Sequence, residues 1–170
     1  MTLAKGLQLF LVLLDILRGN DGKGVAMLSL VFAALSGVLM ALQGALNSAL
    51  GKVVGLLEAT FVVHVVGSLL GLVLLLSGFG AGKWQNYNHA PWYTYLGGLL
   101  GVGIVYLVVA SIPKVGVAPA TTAIIVGQVS TAALIDFFGW FGVEPLPFNY
   151  LKALGLALMA LGAWLLLSRS

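Results

Sequence analysis

Charge is what this sequence has least of. Only 8% of its 170 residues are Asp, Glu, Lys or Arg, against 61% hydrophobic. The few charges leave five stretches with none: Gly24 to Gly51, Ala59 to Gly82, Trp84 to Pro113, Val115 to Ile135 and Ala153 to Ser168. A hydrocarbon core of about 30 Å takes about 20 apolar helical residues to cross. This composition excludes an ordinary soluble domain and indicates an all-α polytopic membrane protein. Five spans and short loops use the chain up, so any function is performed in the bilayer or at its surface.

Cysteine is absent, which removes disulfides, thiolate metal sites and thiol nucleophiles together. Paired carboxylates, HExxH, GxSxG and P-loop motifs are also missing, and two isolated histidines make no metal set. No enzyme, metal or cofactor is expected. A formal charge of +3 spread this thinly offers nothing to nucleic acid.

What is present divides into an N-terminal segment, 1–24, and a five-helix domain, 25–170. In the segment, Lys5, Gln8, Asp15 and Arg18 fall in one sector of a helix over an otherwise apolar run, Leu3 to Leu17. At 1.5 Å per residue that run covers about 22 Å, short of a crossing. An amphipathic helix lying in the interface is the reading, with an extra span or a dispensable extension as alternatives. The five spans are expected over 25–50, 59–78, 92–112, 118–138 and 150–167, with Pro91 and Pro119 opening the third and fourth and Pro113 stopping the third. Trp84, Trp92, Trp140 and Trp164 fall near the ends, as an aromatic belt requires.

The positive charges are balanced across the membrane. Lys23, Lys83 and Lys152 fall on one side, and Lys52, Lys114 and Arg169 on the other. The positive-inside rule has little to act on unless Lys5 and Arg18 tip it toward a cytoplasmic N-terminus. Such a chain is suited to insert both ways, and two opposed copies would form the inverted pair that many transporters build within one chain.

Polar residues inside the spans are the candidates for function. Gln43 and Asn47 are four residues apart and share a helical face. In the fourth span Thr121, Gln128 and Thr131 lie on nearly one face, with Gln128 close to the middle. Amides at membrane depth serve as interhelical glue or as contacts for a neutral polar or zwitterionic solute. Hydroxyls often bond only to their own helix. His64 is a possible proton carrier or a satisfied buried histidine. Asp136, near the end of the fourth span, reaches headgroups or takes part in coupling, and Glu58 suits the N-terminus of the second helix. Gly67 and Gly71, and Gly97 and Gly101, have the spacing of close helix contacts, within or between subunits.

Three motifs in order, Gln43-Gly44-Ala45-Leu46-Asn47, Pro91-Trp92 leading to Tyr95-Leu96-Gly97-Gly98, and Gly127-Gln128 followed by Asp136-Phe137-Phe138-Gly139-Trp140, resemble the YdcZ family of the drug/metabolite transporter superfamily. The resemblance covers about residues 27–167. It implies a five-helix protein of the bacterial inner membrane, half the size of ten-helix members, pairing antiparallel with itself or a sister protein. It also implies small-molecule transport, in the export direction. Ala45 stands where the family commonly has proline, and residues 1–26 have no counterpart in it. The leading expectation is a half-size transporter with Gln43, Asn47 and Gln128 around a cavity between two copies. A channel and a structural membrane subunit are the other classes.

Overall fold

Long apolar helices account for most of residues 22–80 and 82–168, which the computed structural model describes. In chain order they are α1 Gly22–Val54, α2 Leu56–Leu76, α3 Leu96–Val115, α4 Val117–Phe138 and α5 Tyr150–Leu167. No strand occurs among the described residues. All five are long and apolar enough to cross a membrane, and a helix bonds its own backbone groups, which hydrocarbon would leave unsatisfied. The amphipathic helix expected near the N-terminus lies outside the described residues.

Several helix boundaries differ from the sequence reading by a few residues, and two of the ends are informative. α1 continues past Lys52 to Val54, and α3 passes through Pro113 to Val115. Lys52 and Lys114 stand in last turns, where a cation meets the negative end of the helix dipole. Pro113 removes one donor, yet Gly116 N still donates to Ile112 O at 2.9 Å, so the turn survives.

Glycine ends both helices. Gly55 (φ 105°, ψ 161°) and Gly116 (φ 89°, ψ 165°) occupy a backbone region essentially closed to side chains. Each is the single residue between two helices and bonds into both. Gly55 N donates to Gly51 O at 3.1 Å, and Gly55 O accepts from Ala59 N at 3.0 Å. Gly116 N donates to Ile112 O, and Gly116 O accepts from Ala120 N at 3.3 Å. The sequence repeats with the geometry: Gly55-Leu56-Leu57-Glu58-Ala59-Thr60 is matched by Gly116-Val117-Ala118-Pro119-Ala120-Thr121, each after a lysine and valine.

The chain forms two compact units, Met1–Gln43 and Gly44–Ser170. In the first, Ser29 and Ser36 return their hydroxyls to the α1 carbonyls of Val25 and Ala33 at 2.9 and 2.7 Å, so an exposed apolar helix carries no orphan hydroxyl there. In the second, α2 packs on α3, α3 on α4 and α4 on α5. Successive crossings alternate direction, so α1, α3 and α5 end, and α2 and α4 begin, at one membrane face. The buried residues of this unit, among them Ala59, Thr60, Val109, Ile112, Ala120 and Ala163, all lie in the half of their helix nearer that face.

The loops at the other face are ordered by local bonds. Tyr95 donates its hydroxyl to the Tyr87 carbonyl, and the two rings pack at 5.0 Å. Pro91 leads not directly into α3 but into a 3-10 turn, Trp92–Tyr95, that feeds it. Leu146 N donates to Asp136 O at 2.8 Å, Trp140 stacks on Phe138 at 5.0 Å, and Asn149 caps α5 by accepting from Lys152 N at 2.9 Å.

Gly55→Ala and Gly116→Ala should each cost about 1–3 kcal/mol of stability, read as earlier thermal loss of helical circular dichroism in detergent. Gly155→Ala, in open space inside α5, should leave stability unchanged or higher. Equal behaviour of the three would show that the linkers tolerate a side chain.

Candidate functional site

α1 turns one stripe toward α3. Gly44, Asn47, Ser48 and Gly51 recur at three- and four-residue spacing and so share a face. A methyl at Gly44 would lie 3.1 Å from Ile112 Cδ1 and 3.3 Å from Val108 Cγ1, and one at Gly51 would overlap Val109 Cγ1. The small residues let the α1 backbone lie close to α3. Between these glycines Asn47 is 7% and Ser48 3% exposed. Neither side chain makes a hydrogen bond to another described residue. Among the described residues no buried side-chain polar atom is sealed off without a partner, so the Asn47 amide keeps a narrow opening. It presents two donors and an acceptor there with no hydrogen-bond partner among the described residues.

The other predicted amides face outward. Gln43 and Gln128 are exposed, as is Thr131, while Thr121 is half-buried. Thr122 returns its hydroxyl to Ala118 O at 2.8 Å, the local bond common for hydroxyls. Thr121, Gln128 and Thr131 make no side-chain hydrogen bond among the described residues. One protomer therefore does not gather the candidate residues into a cavity: Asn47 is turned into the packing and Gln128 out of it.

The titratable groups are also dispersed. His64 is half-buried on α2, with Nδ1 donating to Thr60 O at 2.8 Å. A carbonyl only accepts, so Nδ1 carries a proton there, and Nε2 faces α3. There Gly101 makes room, its missing methyl position lying 3.5 Å from Nε2. Glu58 is exposed and folds its carboxylate over Gly55. Asp136 is half-buried at the far end of α4.

The profile of the family described as "Putative inner membrane exporter, YdcZ" matches residues 28–165. The chain belongs to this family. It is similar to "Inner membrane protein YdcZ" of Escherichia coli (strain K12), 26% identical over 152 residues that cover 84% of this chain and 97% of that protein. No solved structure matches. With five membrane-crossing helices, this YdcZ-family member is a multi-pass inner-membrane protein.

In this YdcZ-family chain the glycines that sequence spacing singled out are mostly not packed within the protomer. Gly67, Gly71 and Gly97 have nothing within 4 Å of an added methyl, and only Gly101 has a neighbour. The close approaches belong instead to Gly44 and Gly51. Their signal was available as small residues interleaved with Asn47 and Ser48 on one face. Lys152, which shares a cleft with Asp136, was likewise read only as a topology marker.

Because Asn47 has no hydrogen-bond partner among the described residues, Asn47→Leu should keep thermal stability to within about 1 kcal/mol, since a lost internal hydrogen bond would cost about that or more. A larger loss would reveal an internal partner for the amide.

Proposed function

We propose that the protein is a half-size secondary transporter that exports a small neutral polar or zwitterionic solute, working with a second chain inserted in the opposite orientation. The observation that carries this reading is the Asn47 amide, nearly buried on the α1 face that meets α3, without a hydrogen-bond partner among the described residues and not fully sealed from solvent. A buried amide left empty is costly, so it is held for a ligand. Export is the direction the family's description supports.

The second chain is supported by Gln128. It stands near the middle of a membrane span, exposed and without a hydrogen bond among the described residues. An amide facing hydrocarbon costs several kcal/mol, and another chain or a solute held against it removes that cost. Gln43 and Thr131 are exposed in the same way, and Gly67, Gly71 and Gly97 leave room for a close neighbour. The even charge balance makes that neighbour a second copy in the opposite sense, or a sister chain. Proton coupling falls to His64, the titratable group best placed within a span, rather than to Asp136 or Glu58 near span ends.

A thermal-shift screen of neutral polar and zwitterionic solutes supplies a probe for counterflow in vesicles. Asn47→Leu and Gln128→Ala should each lower flux about tenfold, the loss of about 1.4 kcal/mol of interaction, with the dimer intact. Unchanged flux in both would remove this site, and flux indifferent to an imposed pH gradient would remove His64 as coupler. Single cysteines at Lys52 and Lys83 test the pairing in a chain that has no other cysteine. With an impermeant thiol reagent on intact cells, both sites should label in part of the population. Labelling of one site alone would exclude an antiparallel homodimer.

A further inference from the structure

An open cleft of about 400 Å³ runs along the contact between α4 and α5, and it carries one charge of each sign. Asp136 lines it from the last turns of α4, Lys152 from the first turn of α5. The two do not pair. The Lys152 ammonium donates to Pro147 O at 3.1 Å, and the Asp136 carboxylate has no hydrogen bond or ion pair among the described residues. The backbone that bears each group is held locally, by Leu146 N on the Asp136 carbonyl and by the Asn149 cap on Lys152 N.

The rest of the cleft is apolar and leads away from these charges. Val129 lies seven residues before Asp136, and Met159 seven after Lys152, so the walls descend about 10 Å from the charged mouth toward the hydrocarbon. Gly155 keeps the floor open, with nothing within 4 Å of an added methyl. A second cleft of about 410 Å³ shares Ala133 and Leu156 with the first and is walled by Phe137, Phe138 and Phe148. Two apolar grooves thus flank one helix contact, and the lining of one carries a separated pair of opposite charges near the span end.

We propose that this paired cleft binds a zwitterionic aminophospholipid, with its ammonium on Asp136, its phosphate on Lys152 and its acyl chains in the two grooves. Charge complementarity selects this occupant. An anionic lipid satisfies Lys152 but brings no cation to Asp136, and a free solute leaves the apolar walls uncovered. The position at a span end, away from the Asn47 amide, makes this a lipid site separate from the transport site, so neither reading depends on the other.

The test is competition for the full-length protein. Purified chain is equilibrated with mixed micelles of equimolar phosphatidylethanolamine and phosphatidylglycerol, and retained lipid is counted by native mass spectrometry. Phosphatidylethanolamine should be retained about fivefold over phosphatidylglycerol, the scale of one partly screened ion pair. Asp136→Asn should abolish that preference, Asp136→Glu should keep it, and Lys152→Gln should lower retention of both lipids, with thermal stability followed alongside. Equal retention by the unaltered protein would overturn the proposal without any variant. So would a preference that survives Asp136→Asn, or displacement of the lipid by equimolar glycerophosphoethanolamine, which carries the headgroup without acyl chains.

Discussion

Two residues without side chains set the geometry on which the rest of this bundle depends. Gly55 and Gly116 turn the chain from one span into the next in a single residue, at backbone angles that a Cβ would make strained. Because each also bonds into both flanking helices, the turn is continuous with the helical ladders on either side. A one-residue linker brings the helix ends together at that face. Ala59, Thr60, Val109, Ile112 and Ala120 are buried there because nothing longer intervenes.

Toward the other face the connections lengthen and the packing relaxes. The clefts beside α4 and α5 lie on that side, near the loop between residues 139 and 149. Secondary transporters commonly work by rocking of helix groups about a central site, and such motion is compatible with short linkers at one face and longer loops at the other. Asn47 stands toward the closely linked end, where the buried residues gather, while Gln128 lies near the middle of α4.

The five spans were legible because charge is so costly in hydrocarbon that its absence marks them almost residue by residue. Their ends were less legible. Pro113 suggested a stop, but a proline close to a helix end loses little, and the true stop three residues on is Gly116. The repeated Gly-x-x-x-Ala-Thr pattern after Lys52 and Lys114 was in the sequence and went unread, since six residues at two sites are a faint signal beside hydropathy. Periodicity also placed Gln43 and Asn47 on one face but could not show which would be buried. That depends on the close approach of α1 to α3 at Gly44 and Gly51, a tertiary contact. Spacing drew attention to Gly67, Gly71 and Gly97, but their role is not visible within one chain.

Exposure has a different meaning for this chain than for a soluble one. Leu30, Leu39, Phe61, Leu99 and Trp164 are largely exposed, and in a bilayer that costs nothing, because lipid tails are as apolar as they are. The uncovered apolar surface of the protomer is therefore no argument for a partner. Polar groups reverse the weighting. Gln43, Gln128 and Thr131 are few, but each is a group that hydrocarbon cannot satisfy, and the chain spends no local bond on the last two. The case for a second chain begins with these side chains, with the charge balance and the open glycines beside them, while Asp136 and Lys152, at headgroup depth, suit a lipid headgroup without one. The same rule, applied at two depths, separates the surface that must meet protein or solute from the surface that suits a membrane lipid.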